Sequence, residues 1–257
     1  VTATVEHSAS TARRYAIAAA LPVVCAGLIV SALLVFVAGP VGLILGLVFT
    51  VVASILRTRR FGIGVELEIL QGLQLRDASG DDAAGLRNLT EALSATAGVP
   101  MPSLHVLEAK SCNSMVVGRT PETSALVVTS GLLNDASRIE LEAVVARALV
   151  QIRQGDLVGA TMAIKLGRSA LTRVAASFLG ALRTLEDPDR DVLLDRAAVR
   201  LTRFPPGLIG ALETCLSAGT AIRSADPATI HLWMVDPAGG DAVTTQLEHR
   251  IEALRLL

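Results

Sequence analysis

Two uncharged apolar runs near the start of the chain, Tyr15–Val37 and Val41–Leu56, constrain the fold more than any other feature. Only Ala38-Gly39-Pro40 separates them. A helix needs about 20 apolar residues to cross a hydrocarbon core of about 30 Å, and the first run is long enough. The second is short for a span, and a little of each flank extends it. A secretory signal is the competing reading, because Arg13 and Arg14 precede the first run; its apolar core would be too long, and a second apolar segment follows almost at once. A transmembrane helical hairpin over 15–56 is therefore expected. Arg13 and Arg14 stand before it and Arg57, Arg59 and Arg60 after it, so the excess of cations predicts that both ends face the cytoplasm. The expected organisation is a cytoplasmic tail over 1–14, the hairpin over 15–56 and a cytoplasmic domain over 57–257. The expected location is the plasma (inner) membrane, as a multi-pass protein.

Composition narrows the partners. The 257 residues are 51% hydrophobic and 18% charged, with a net charge of −1, so no global field points to nucleic acid. Cys25, Cys112 and Cys215 are scattered without a C-x-x-C or ligand spacing, and read as packing residues in a reducing compartment. His7, His105, His231 and His249 are far apart, and none makes a metal pair one helical turn apart. No metal and no cofactor is expected from these spacings; the bilayer and a protein partner or membrane complex are.

Along the cytoplasmic part, 61–75 is a mixed helix-like stretch and 77–82 a polar loop. Residues 86–97 have helical spacing and stop at Gly98, with Pro100 and Pro102 beyond. Short apolar runs at 104–107, 114–117 and 125–129 predict a small sheet of hairpin-linked strands. The run 141–157, LEAVVARALVQIRQGDL, repeats apolar residues at Leu141, Val145, Ala148 and Ile152. Taken by itself it is an amphipathic helix with a solvated polar edge that holds Arg147 and Gln151. Residues 158–182 tempt a third span, but Lys165, Arg168 and Arg173 interrupt them, which predicts an amphipathic helix or helix pair. Helices are expected at 192–203 and 208–218, with Pro205-Pro206-Gly207 as a break, then a short buried segment at 231–235 and a last amphipathic helix over 246–257. The fold class is α+β, mostly helical.

Several segments in order resemble one family. Asn88–Pro102, NLTEALSATAGVPMP, is similar to a helix leading into a G-v-p-x-P strand. Cys112-Asn113-Ser114-Met115 with Gly118-Arg119 resembles an N-A-F-A…G-R segment that edges a substrate cleft, and Val127–Leu133, VVTSGLL, a strand and turn before the active-site helix. Glu142–Ala146 matches E-x-V-x-A, and Arg190–Ala198 is similar to R-E-x-x-A-D-x-x-A. Pro206-Gly207-Leu208 with Ala211-Leu212, and His231-Leu232-Trp233 to Pro237, complete the likeness. The chain resembles the HtpX-like and CAAX-prenyl-protease group of membrane zinc metallopeptidases. The resemblance implies a zincin-like (HtpX-type) domain with an extended peptide added at a strand edge around Asn113, Ser114 and Met115.

The family's H-E-x-x-H helix binds zinc through two histidines and activates water with the glutamate. Under this resemblance those positions hold Arg147, Ala148 and Gln151, and the third ligand position holds Asp191. The expectation is that no residue is catalytic and that these four mark a degenerate pocket. Arg147 and Asp191 either pair where a metal would have linked the same elements, with Gln151 completing the hydrogen bonding, or Arg147 turns outward. The expected function is a catalytically inactive, membrane-anchored pseudopeptidase that binds a protein or peptide as adaptor, regulator or subunit. The alternatives are a structural subunit with a vestigial cleft, and an enzyme with non-zinc chemistry built on other polar groups such as Asp156, Asp195 and His231.

Overall fold

The computed structural model describes residues 2–60, 64–155, 161 and 189–257. The expected helix or helix pair over 158–182, like Asp156, lies outside these described residues, apart from Thr161.

Helix α1 (Thr2–Arg60) is two helical arms joined at Gly39, whose φ of 60° and ψ of −146° are open in practice to glycine alone. Pro40 begins the second arm, where a missing N–H costs no helical bond. Beyond Gly39 the chain returns alongside its first arm. A methyl group on Gly46 would lie 2.8 Å from Ser31 Cα, and one on Gly27 would lie 2.8 Å from Thr50 Cβ. These glycines let the arms approach closely. Ser31 and Thr50 are buried between them, and their hydroxyls donate to Gly27 O and Gly46 O, each at 2.7 Å. Leu33, Phe36, Ile44, Leu45 and Phe49 point outward and exposed. Ala38–Arg57, with mean hydropathy 2.3, is one helix long and apolar enough to cross a membrane; Ala20–Phe36 is a shorter apolar stretch.

After α2 (Val65–Gln71), strand β1 (Leu75–Asp77) and helix α3 (Ala84–Ala97) lead into β2 (Ser103–Leu107), β3 (Ser114–Val117) and β4 (Ala125–Thr129). The four strands form one mixed sheet in the order β1-β2-β4-β3. The expected chain of hairpins is corrected here. β3 and β4 are antiparallel, but β2 runs parallel to β4, with His105 opposite Val127, and β1 is an unforeseen edge strand. β4, AlaLeuValValThr, is buried at every position, and a continuous apolar run of this kind belongs at the centre of a sheet. Thr129 ends it and caps α4 (Ser130–Asp135), accepting from Leu132 N through its hydroxyl.

Helix α5 (Arg138–Gln154) opens on a capping box: Ser137 Oγ accepts from Glu140 N, and Glu140 Oε2 accepts from Ser137 N at 2.6 Å. It ends at Gly155, with φ 68°. The amphipathic reading of α5 fails for a packing reason. The helix is enclosed by α3, α6 (Arg190–Thr202) and α7 (Pro205–Ala218), so Leu141 and every residue from Ala143 to Ile152 is buried, Arg147 and Gln151 included. Pro205 and Pro206 do not break the chain into α7 but occupy its first turn. Helix α8 (Asp241–Arg255) packs on α6 and α7. One core joins Val106, Val116, Leu126 and Val128 of the sheet to Val145 and Leu149 of α5, Leu212 of α7 and Leu247 and Ile251 of α8.

Gly131 gives a sharp test of this packing. Its N–H donates to Ala109 O at 2.8 Å, and a methyl group there would lie 2.6 Å from Ser111 O and overlap the Lys110 carbonyl. Gly131→Ala is expected to lower stability by about 2 kcal/mol through overpacking, read as a lower urea midpoint in detergent with an unchanged slope.

Candidate functional site

Arg147, singled out on α5, meets carboxylates of α6 in the interior. Arg147 Nη2 donates to Asp191 Oδ1 at 2.6 Å, and its Nε donates to Asp195 Oδ1 at 2.7 Å. Asp191 and Asp195 are four apart on α6, so both carboxylates face the same neighbours. From α8, Arg250 Nε donates to Asp195 Oδ2 at 2.7 Å, Nη2 to Asp195 Oδ1 at 2.9 Å, and Nη1 to Met234 O at 2.8 Å. Asp195 is 0% exposed and Arg250 1%. Two guanidiniums thus face two carboxylates in planar, charge-assisted hydrogen bonds, and the cluster is neutral.

Arg147 turns inward and pairs with Asp191. Gln151, buried one turn along α5, is not the group that completes the pair: Gln246 Nε2 of α8 donates to Asp191 Oδ2 at 3.3 Å instead. Ala148 is buried against the core. Burial pushes the Asp191 carboxyl upward, but the charges of Arg250, Arg147 and Arg190 and the Arg147 hydrogen bond outweigh it and hold the group below the ordinary carboxylate range. Burial likewise works against the Arg250 charge, and Asp195 and Asp191 more than compensate, so its guanidinium is held still more firmly protonated.

Arg250 was not legible as a site residue. One signal was present: on α8 it shares the face of Val243, Leu247, Ile251 and Leu254, so a cation sits within an apolar stripe. A charge placed there needs a buried partner.

The expected cleft edge is corrected. Asn113, Ser114 and Met115 are buried, and the outer edge of β3 is covered by the segment after the 3₁₀ turn Pro227–Leu232. Met115 bridges Trp233, and Met234 N donates to Ser114 O at 2.7 Å. Asn113 Nδ2 donates to Val235 O at 2.8 Å, while its Oδ1 accepts from Ser114 N at 2.9 Å and Val235 N at 3.2 Å. An added peptide strand has no open edge at these residues, because their backbone groups are already paired.

The resemblance implies zinc, and the donor set on α5, α6 and α8 does not fit it. A zinc site needs several deprotonated N, S or O ligands with lone pairs turned to one point. Here the oxygens of Asp191 and Asp195 accept from guanidinium or amide donors, and a permanently protonated arginine cannot be a ligand. Among the described residues no group of three or more His, Cys, Asp or Glu is placed to hold a metal.

Asp195→Asn removes one charge from a sealed cluster and leaves two guanidiniums against one carboxylate. It is expected to cost about 3–5 kcal/mol, measured by chemical denaturation. Asp191 has a pH signature. Its folded pKa is lowered, so its stabilisation is complete above the unfolded value of about 3.9 and is lost as pH falls through the folded value. Melting temperature should fall on acidification below roughly pH 4, with a shallower fall in Asp191→Asn.

No family model and no solved structure matches the chain. Curated relatives do. A "Protease HtpX homolog" of Dictyoglomus turgidum is 29% identical over 226 residues, covering 74% of this chain and 74% of the relative. Relatives of the same name from Limosilactobacillus reuteri, 28% identical over 209 residues (67% and 69% covered), and from Sulfurovum sp., 29% over 210 residues (68% and 76%), agree. The relatives are named as proteases, which overturns the expectation of a non-enzymatic, inactive adaptor, together with its alternatives of a structural subunit and a non-zinc enzyme. That expectation took four positions, Arg147, Ala148 and Gln151 on α5 and Asp191 on α6, for the whole molecule, a step from local identity to global inactivity that the relatives do not support. Their likeness runs through two thirds to three quarters of the chain, which is thus similar to proteins named as HtpX homologs.

Proposed function

We propose that this protein is a membrane-anchored peptidase acting on polypeptides presented at a bilayer. One observation carries the reading: relatives named as proteases align with about three quarters of the chain. No hydrolytic step is assigned to the Arg147–Asp191–Asp195–Arg250 cluster, in which all four carboxylate oxygens accept from guanidinium or amide donors.

The two apolar arms of α1 support a transmembrane hairpin over 15–56, with Gly39 and Pro40 at its turn. The cations at Arg13, Arg14, Arg57, Arg59 and Arg60 support a cytoplasmic tail over 1–14 and a cytoplasmic domain over 57–257, in the inner membrane. A mixed sheet followed, after the short helix α4, by the buried helix α5 supports a zincin-like reading of that domain. Its partners are the bilayer and the protein, or membrane complex, on which it works.

The test is turnover of a fluorescently labelled membrane protein co-reconstituted with the full chain in proteoliposomes, with and without chelator. Fragments that accumulate with time and enzyme concentration are expected. Cleavage lost to the chelator would assign the metal to residues outside those described. Absence of fragments under every condition, from protein whose melting transition is intact, overturns the proposal.

A further inference from the structure

Two cysteines 103 positions apart meet in the core. Cys112 lies in the loop between β2 and β3, and Cys215 in the last turn of α7; both are 0% exposed. Their sulfurs are 2.7 Å apart. Carbon atoms, smaller than sulfur, rest at about 3.5–4.0 Å when not bonded, and a disulfide closes to about 2.05 Å. The sulfurs therefore sit between contact and bond, with only a small side-chain movement left.

The backbones on both sides are held in place. Cys112 N donates to Gly219 O at 2.9 Å, directly fixing the loop to the end of α7. Next to it, Asn113 N donates to Thr129 Oγ1 at 3.0 Å, and Thr129 Oγ1 donates back to Asn113 O at 3.0 Å, fixing the same loop to β4. Cys25 is exposed on α1 and takes no part.

We propose that Cys112 and Cys215 are a disulfide-forming pair, a covalent modification site that ties the loop ahead of β3 to α7 when a small disulfide oxidant is present. In the first step one cysteine thiolate attacks a sulfur of the oxidant, forming a mixed disulfide and releasing one small thiol. The second cysteine then attacks the protein-side sulfur of that mixed disulfide and releases the second small thiol. One S–S bond is broken and one made; the two protons lost by the cysteines end on the released thiols, and the oxidant takes both electrons. The Cys112 thiol beside it, and then burial, push the Cys215 thiol well above the ordinary thiol range, so the exchange runs slowly in the closed fold and proceeds when α7 opens locally. The bond would close a long loop and so restrict the unfolded chain. This inference stands whether or not the protein cleaves peptides.

The experiment uses the full chain in detergent with Cys25→Ser, leaving two thiols. Reduced protein is incubated with oxidised glutathione in sub-denaturing urea, then unfolded, labelled with maleimide and mapped by peptide mass spectrometry. The reduced sample should carry two labels. The oxidised sample should carry none and yield a peptide linking Cys112 to Cys215, with a melting temperature higher by roughly 5–10 °C that a reductant reverses. Adding Cys112→Ser should abolish both the link and the reductant-sensitive shift; should that variant not fold, the reductant dependence of the intact pair reads the same quantity. Two labels remaining after oxidation, or glutathione adducts at either cysteine without the cross-link, overturn the proposal.

Discussion

The interior is organised around one carboxylate. Asp195 is wholly buried and receives three charge-assisted hydrogen bonds, one from Arg147 of α5 and two from Arg250 of α8. A charge taken so far from water is tolerable only with such partners, because desolvation outweighs any single contact. The requirement runs both ways, since neither guanidinium can remain buried without the carboxylate. Three helices that hydrophobic packing alone would leave free to slide are thereby held in one mutual register.

A neutral amide does comparable work close by. Asn113 pairs with Val235 through both ends of its side chain and steadies the start of β3 through Ser114 N. The segment that it holds covers the edge of the sheet through the Met115–Trp233 bridge, and Arg250 grips the same segment at Met234 O. The ionic cluster and the amide are thus joined through two adjacent residues, 234 and 235.

Much of the architecture was legible because its causes are local. The apolar arms of α1 follow from uninterrupted hydrophobicity, and α7 from a terminal proline pair once that pair is read as a beginning; the caps of α5, Ser137 with Glu140 and Gly155, are as local, yet the reading of a run over 141–157 passed over them. What escaped the sequence reading depends on partners remote along the chain. The parallel pairing of β2 with β4, the short strand β1 and the burial of β3 by residues 233–235 have no local signature. Arg147 and Asp191 could be set side by side only through a resemblance, and Gln246 and Arg250 were hidden in a helix whose pattern otherwise reads as ordinary. The step from an altered motif to lost activity failed for a different reason: it concerned function, and a few side chains on one element do not decide it.

The grip of Arg250 on Asp195 also sets an order of assembly. The two residues lie 55 positions apart, so at translation rates of about 5–20 residues per second Arg250 emerges several seconds after Asp195. During that interval Arg147 and Asp195 are already made, yet the second cation that completes their enclosure does not exist. The apolar arms of α1 leave the ribosome well before either. The carboxylate thus lacks one of its two cations until α8 has been made, and the interior around it closes only then.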